Sequence, residues 1–594
     1  MKLFSQPLVR HVLLTLLLPL LTFQVLAGKP NVIIVITDDQ GYGDLGCHGN
    51  RILETPAMDA LHAESVRLTD YHVSPTCAPT RGALMSGHYT NRAGPWHTIM
   101  GRSFLRPEST TLGEVFLENG YRTGLFGKWH LGDNYPYRPI DRGFGEVVSH
   151  GGGGVGQTPD HWDNAYFDDT YLHNGIPEKY EGYCTDVYFR EAKRFISESV
   201  EAKKPFLAYI STNAPHSPSH VPDNYWKPYV GKVPSEKEAI FYGMIANIDE
   251  NLGQLRQFLE DEGVAKNTIF IFTTDNGTAS GKAIYNAGMR GQKGSQYDGG
   301  HRVPLFLRWP DGGLTQPRDI DQLTAHIDIL PTLIELCGLK APMDYSFDGR
   351  SLAPLLFETP TPWPERTLIT DSQRVKDPIK WRQSATMTKR WRLIDGKELY
   401  DIKLDPAQKN DIAAEHPKVV SCLRMEYDAW WESVSTLFDK ETRIVVGNDA
   451  ENPAKLTCHD WITTDEVTPW HQAYIREGKP GTGFWAIHVE KAGTYEIALR
   501  RWPAELDLPI NASLEPGLPV PGLTAFRETP GRSIQAHCAT LMLAGQSMSK
   551  PVEPEDHDVR FLIELPEGDT DMEAEFTTET GAIGAYFAIV TRIQ

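Results

Sequence analysis

Seven cysteines in 594 residues are too few and too scattered to brace a disulfide-dense scaffold. Cys47, Cys77, Cys184, Cys337, Cys422, Cys458 and Cys538 show no ribbon spacing for a structural zinc site. Their odd number leaves at least one thiol unpaired in an exported protein. Basic charge is also short. Lys and Arg total 58 against 78 Asp and Glu, a formal net charge of −20. A nucleic-acid binder carries a basic face, so no nucleic-acid partner is expected. An acidic shell repels anions at long range, so an anionic substrate would need cations gathered locally. Long apolar runs are missing beyond the N-terminus, and no repeat has a fixed period. Lys2 and Arg10 are the only charges before the apolar run 11–23, and Val25-Leu26-Ala27 follows as a small-residue cleavage site. That run is shorter than the roughly 20 residues a spanning helix needs. Residues 1–27 therefore read as a signal peptide, and the mature chain as secreted or periplasmic with no stable membrane span.

Hydrophobic residues make up 40% of the chain, enough for a large core, and the length predicts two or three domains. From 28 to 358, short β-rich runs alternate with helical stretches, the pattern of an α/β layered domain. Asn31-Val-Ile-Ile-Val-Ile, Pro205-Phe-Leu-Ala-Tyr-Ile and Thr268-Ile-Phe-Ile-Phe are continuous apolar runs, as in strands buried on both faces. Tyr121-Arg-Thr-Gly-Leu-Phe is a fourth candidate. Ser235 with Glu238 reads as a capping box, opening a helix whose core stripe is Ile240, Met244, Ile248, Leu252, Leu255 and Leu259, stopped at Gly263. A second helix is expected at about 326–336. A proline-rich stretch marks a boundary, followed by a smaller α+β subdomain over 359–438. Residues 439–594 read as an appended β-sandwich. There Trp485, Ile487 and Val489, a turn at Ala492-Gly493, then Tyr495, Ile497 and Leu499 pattern as a hairpin. Core packing is the expected fate of most of Trp461, Trp470, Trp485 and Trp502.

Four of these strands run into polar groups: Asp38-Asp39, Asp275-Asn276, a segment containing His216, and Lys128 with His130. In an open parallel sheet, ligands bind beyond the carboxyl ends of the strands, so these groups could meet at one edge. Asp38, Asp39, Asp275 and Asn276 are hard oxygen donors that suit Ca²⁺ better than Zn²⁺. Each pair alone is more often a turn; both placed after buried strands favour the ligand reading. Asn276-Gly-Thr also matches a glycosylation sequon, which is accidental if Asn276 is a ligand. Cys77-Ala-Pro-Thr-Arg81 is the second signal. Pro79 can start a helix, which would put Cys77 just ahead of a helix N-terminus, a natural anion site. Arg81 lies about one turn on, with a fork suited to tetrahedral oxyanions. Taken alone, this segment reads first as a small buried cysteine beside a proline.

The blocks together change that balance. Cys77-x-Pro-x-Arg81, Thr37-Asp38-Asp39-Gln-Gly-Tyr-Gly-Asp, Gly127-Lys128-Trp-His130-Leu-Gly, Ala214-Pro-His216, Thr274-Asp275-Asn276-Gly and Gly291-Gln-Lys293-Gly with Asp298-Gly-Gly-His-Arg-Val-Pro stand in one order. They resemble the formylglycine-dependent sulfatases of the alkaline-phosphatase-like superfamily over nearly all of residues 30–435. The resemblance implies a large mixed, mostly parallel sheet flanked by helices. It implies that a maturation enzyme oxidises Cys77 to formylglycine. Asp38, Asp39, Asp275, Asn276 and the modified Cys77 would bind calcium, and Lys128 and Lys293 would hold the sulfate oxygens. Arg81 would support the formylglycine, His216 would protonate the leaving alcohol, and His130 would take a proton from the enzyme-bound intermediate. The implied substrate is a sulfate monoester, aryl or on a glycan. A hydrated aldehyde suits that chemistry, because one hydroxyl can attack sulfur and the other can later expel sulfate. Position 80 is Thr where many members carry Ser, and His88 stands where Arg often follows. A phosphodiester or phosphonate monoester hydrolase of the same superfamily is the first rival, and a non-catalytic glycan-binding protein the second. The glycine-rich segment 150–162 reads as a mobile loop bordering the substrate pocket or, equally, as glycines that only permit a tight path, with Trp96-His97 as another candidate rim.

Overall fold

The computed structural model describes residues 28–341, 345–359, 362–463 and 468–594. The expected signal peptide lies outside the described residues. Among those described, no helix is long and apolar enough to cross a membrane.

The strand Asn31–Thr37 is buried at all seven positions and forms the middle of a ten-stranded mixed sheet. Its parallel neighbours are Phe206–Ser211 and Thr268–Thr274. Arg122–Gly127 pairs parallel with Phe206–Ser211 on its other edge. The four runs expected as strands are thus four adjacent parallel strands. Antiparallel pairs close both flanks, with Leu305–Arg308 against Thr268–Thr274 and Thr170–His173 against Glu146–Ser149.

Side chains of the central strand alternate between two cores. Ile33 and Val35 pack with the helices Cys184–Glu201 and Glu236–Asp261, while Val32, Ile34 and Ile36 pack with Leu112–Glu118 and Ile329–Leu336. Continuous apolar runs are what such two-sided burial requires. The long helix Glu236–Asp261 buries its whole predicted stripe. Its start differs from the expected capping box. Ser235 makes no side-chain bond to the helix backbone; its hydroxyl bonds the Glu238 carboxylate instead. Side chain met side chain because both groups sit at the solvent surface, where the freed N–H groups can turn to water.

Beyond this core, Leu368–Asp371, Ser384–Met387, Trp391–Ile394 and Glu398–Asp401 form a four-stranded antiparallel sheet, and the helix Pro417–Ser435 packs on it. Two further antiparallel-rich sheets follow, one built around Phe484–Val489, Gly568–Thr578 and Ala536–Leu543, the other around Gly493–Arg500, Val559–Leu565 and Phe587–Arg592. They share one core, in which Trp461, Trp485 and Trp502 are fully buried.

The expected hairpin at 484–500 is not one. Phe484–Val489 pairs with Gly568–Thr578, and Gly493–Arg500 pairs with Val559–Leu565 and Phe587–Arg592. The turn carries the chain from one sheet to the other. Period-two alternation fixes which face of each strand is buried but not which strand lies beside it.

The shared core of these two sheets also contains Phe104, Tyr137 and Trp162 from the first part of the chain. Phe104 stacks on Tyr137 at 5.1 Å, and Trp162 meets Trp502 edge-on at 5.6 Å. Removing residues 439–594 would expose this aromatic surface. The shortened chain is therefore expected to aggregate when produced alone. Recovery of a soluble, monomeric, fully active 28–438 fragment on a sizing column would overturn this account of the shared core.

Candidate active site

Carboxyl ends of the parallel strands carry the predicted polar groups to one place. Asp38, Asp39 and Asp275 are buried, with carboxylate oxygens mutually within 4.8 Å. Each has its own cation. Lys128 Nζ lies 2.6 Å from Asp38 Oδ2, both side chains being fully buried. Lys293 Nζ lies 2.7 Å from Asp39 Oδ2. Arg81 clasps Asp275 Oδ2 through Nε at 3.0 Å and Nη2 at 2.8 Å. Asp39 adopts a left-handed backbone, φ 75°, which folds its N–H back onto Asp275 Oδ1 at 3.1 Å. Asn276 Nδ2 donates to Asp39 Oδ1 at 2.8 Å. Its full burial leaves no room for a glycan at the sequon.

Cys77 is the first residue of the helix Cys77–Ser86, one position further in than expected, because Thr76 already takes the extended cap conformation. Its sulfur, an Asp38 oxygen and a His216 ring nitrogen lie within 4.8 Å of one another. Burial pushes the Cys77 thiol above its ordinary pKa, against the pull of Lys128 and Lys293. An unmodified thiol here is protonated and a poor nucleophile.

Both histidines have tautomers set by carbonyls. His216 Nδ1 lies 2.6 Å from Ser217 O, so Nδ1 carries the proton and Nε2 faces Asp39 Oδ2 at 3.9 Å. His130 Nε2 lies 2.8 Å from Thr98 O, leaving Nδ1 bare, buried and unpartnered. Burial and the nearby Lys293 push His216 down to about 3, and burial with Lys128 holds His130 well below its ordinary value. Both are neutral imidazoles in the site as it stands.

The donor set fits a hard divalent cation. Asp38 Oδ1 and Asn276 Oδ1 are buried oxygens without a hydrogen-bond partner. Buried acceptors of this kind need an ion or a donor. Burial raises Asp38 despite Lys128, with Asp39 adding to the rise, and burial together with Asp38 pushes Asp275 up to about 6. Asp39 goes the other way, since Lys293, His216 and Asn276 outweigh its burial. Two of the three carboxylates thus hold their charge at a cost that a cation among them would remove.

Sequence reasoning missed several contributors. Ser211 Oγ accepts from Arg81 Nη1, and Lys128 O accepts from the same nitrogen at 3.1 Å. His459, from the turn Cys458–Asp460 in the C-terminal part of the chain, is buried with its ring centroid 6.4 Å from that of His130. No local signal marks a group delivered from so far along the chain. Of the two readings of the glycine-rich segment, the tight path holds and the mobile loop does not: residues 151–158 are buried. A Cβ on Gly153 would come within 2.3 Å of His130 Cε1, so glycine permits the backbone to press on that ring. Trp96 and His97 are also buried rather than forming a rim, with Trp96 Nε1 donating to Val375 O at 3.2 Å. His88 bonds Asp348 at 3.1 Å, a carboxylate it shares with Arg92.

A mixed sheet between helical layers, with its polar groups at the strand ends, is the alkaline-phosphatase-like fold. Residues 30–339 match the sulfatase family model, and residues 292–428 match the C-terminal model of N-sulphoglucosamine sulphohydrolase. The chain belongs to the sulfatase family. It is 30% identical to human N-acetylgalactosamine-6-sulfatase over 357 residues, 55% of this chain and 66% of that protein. The match thus spans just under two thirds of that relative's length. Human arylsulfatase A is 30% identical over 370 residues, 58% of this chain and 71% of that protein. Among solved structures, Ps i-CgsB in complex with k-i-k-neocarrahexaose superposes with a TM-score of 0.62 at 27% identity, covering 68% of this chain and 92% of that one.

Arg81 is the most exposed point of failure in this network, because its loss strands Asp275 as an uncompensated buried charge. Arg81→Leu is expected to cost about 3–5 kcal/mol of stability. Urea unfolding monitored by fluorescence checks this, and an unchanged midpoint would show that Asp275 is not held by this pair.

Proposed function

We propose that this protein hydrolyses sulfate monoesters borne on carbohydrate, with residue 77 as nucleophile after conversion of Cys77 to formylglycine by a maturation enzyme. The observation that carries the reading is the convergence of Cys77, Asp38 and His216 within 4.8 Å at a helix start. A reactive group there faces the positive helix end. The glycan assignment draws on the relatives, one named for a sulfated sugar and one solved with an oligosaccharide bound. The leader-like residues 1–27 support an exported protein.

Asp38, Asp39, Asp275, Asn276 and the modified residue 77 would hold calcium, which would supply positive charge and lower the pKa of a hydroxyl beside it. Formylglycine, hydrated, would supply two hydroxyls on one carbon, one for attack on sulfur and one for later release of sulfate. The remaining work falls to ordinary side chains. Lys128 and Lys293 bind the sulfate oxygens and offset charge that builds on them in the transition state. An anionic ester beside His216 reverses the penalty that keeps it neutral, since its charge favours the imidazolium. With Nδ1–H fixed on Ser217 O, Nε2 is the atom that can pass a proton to the departing alcohol. His130, anchored through Nε2–H, offers its bare Nδ1 to a hydroxyl proton on residue 77. Arg81 pins Asp275 and the Lys128 backbone together, fixing the floor beneath both.

Cys77→Ala is expected to abolish desulfation of aryl sulfates and sulfated sugars while leaving the circular dichroism spectrum unchanged. Mass spectrometry of the residue-77 peptide from active protein should show formylglycine. Full activity in that variant, or faster cleavage of aryl phosphates than aryl sulfates by the parent, would refute the assignment. His216→Asn should be selective. Loss of a general acid costs about 10²–10⁴-fold on poor alcohol leaving groups. With a nitrophenol leaving group, which needs no proton, the loss should be far smaller. Equal losses on both would remove His216 from that role.

A further inference from the structure

Outside the active site, among the described residues, side chains able to ligate a metal gather in two places. One is the buried set His72, Asp298 and His301. Its charge is already answered. Arg392 lies 3.1 Å from Asp298 Oδ1 and 2.7 Å from Asp70 Oδ1, and Asp70 in turn bonds His72 at 2.9 Å. A guanidinium fills the place an ion would take.

The other gathering has no such occupant. Cys47 and His48 lie in the turn Gly46–His48, and His62 lies near the end of the helix Pro56–Ala63. The Cys47 sulfur, a ring nitrogen of His48 and a ring nitrogen of His62 are all within 4.8 Å of one another. Zinc takes such donors at about 2.0–2.3 Å. Atoms that close are a small side-chain rotation away from a common ion.

The surroundings hold the donors in place. His48 Nδ1 lies 2.8 Å from Tyr42 O, so it carries the proton and Nε2 is the free lone pair. A ring N–H committed to a backbone carbonyl is the usual way a ligating histidine is oriented. The His48 ring stacks on Tyr42 at 3.9 Å, and both imidazoles meet the Phe306 ring edge-on, at 5.7 and 5.2 Å. Neither ring nitrogen of His62 has a hydrogen-bond partner among the described residues. The turn is also tied to the helix. Cys47 N donates to Asp59 Oδ1 at 2.8 Å, Thr55 Oγ1 donates to the same oxygen at 2.9 Å, and Gly46 N donates to Thr55 Oγ1 at 2.9 Å. Asp59 precedes His62 by three residues, so the bonds that fix the turn also fix its distance from the second histidine. Arg67 and Arg302 are the nearby cations; Asp319 neutralises Arg67 at 2.6 Å, and Arg302 lies over the Tyr42 ring at 5.1 Å. All three donors are half-buried, so an ion can enter from solvent.

We propose that Cys47, His48 and His62 bind a thiophilic divalent cation, Zn²⁺ by preference, which clamps the turn that follows Asp38-Asp39 onto the helix Pro56–Ala63. One thiolate and two imidazoles select zinc, whereas the oxygen-rich active site selects calcium, so the two sites do not compete for one ion. On binding, the Cys47 thiol proton passes to solvent and the sulfur pair forms the bond to the metal. The fourth position is left to water.

Co²⁺ is the probe. The full-length protein, reduced and saturated with calcium, is titrated with Co²⁺ and followed by absorbance. A thiolate-to-cobalt charge-transfer band with intense tetrahedral d–d bands is expected, saturating at one equivalent and bleached by Zn²⁺. The band should vanish in Cys47→Ser and in His62→Gln and persist in Cys77→Ser. His62→Gln should keep the parent's circular dichroism and sulfatase rate, and should lose the rise in thermal midpoint that Zn²⁺ gives the parent. Absence of the band, its survival in either site variant, or its loss in Cys77→Ser would overturn the proposal.

Discussion

Three buried carboxylates, each matched to its own cation, are the constraint around which the first half of this molecule is organised. Asp38 with Lys128, Asp39 with Lys293 and Asp275 with Arg81 come from five separate stretches of chain, Asp38 and Asp39 being neighbours. Burying one charge without its partner costs several kcal/mol, so the six must arrive together or not at all. The set is neutral as it stands. A divalent cation among the oxygens would leave two surplus positive charges beside Cys77. That surplus is what an anionic ester needs after crossing the field of a chain with a net charge of −20. Charge matching at the site therefore serves stability without a substrate and attraction with one.

The sheet makes this arrangement affordable. Four adjacent parallel strands end at the same edge, so Asp38, Lys128, the His216 segment and Asp275 are brought together by register rather than by long flexible loops. Helices on both faces keep water from the strands, and the low dielectric strengthens each pairing. Arg81 then links the helix Cys77–Ser86 to this edge by bonding Asp275, Ser211 and the Lys128 carbonyl at once. Cys77, one helical turn ahead of Arg81, has its position set by that anchor.

How far the sequence foretold this follows from what kind of information each feature needs. A buried parallel strand must be apolar throughout and must become polar where it leaves the sheet, so both the strands and their reactive ends were legible. The order of the motif blocks carried the family. Partner choice was another matter. Residues 484–500 alternate as a hairpin does, yet their two strands belong to different sheets, because alternation records burial and not neighbours. The glycines at 151–154 fitted motion and a tight path equally, and close packing holds, since the small residue that frees a chain also lets a ring approach it. Ser211 and His459 left no trace at all: a serine at a strand end and a histidine in a distant turn acquire meaning only through contacts that span the chain.

The C-terminal sheets are better understood as a wall of the active-site region than as a detachable module. Their core takes in Phe104 and Tyr137 from the segments flanking the His130 motif, and Trp162 from the glycine-rich stretch. Met100 N donates to His459 O at 2.9 Å, two residues from the Thr98 carbonyl that fixes His130. On the opposite side, Leu523 N donates to Ser219 O at 3.0 Å and His220 Nε2 bonds Leu523 O at 2.9 Å, close along the chain to His216. Both histidines that would handle protons thus sit on segments pinned from the C-terminal side. A side chain that must transfer a proton within a fraction of an ångström gains more from a rigid backing than from added reach. The buried tryptophans fit that role, because rings committed to a shared core stiffen the wall and cannot also stack on sugars.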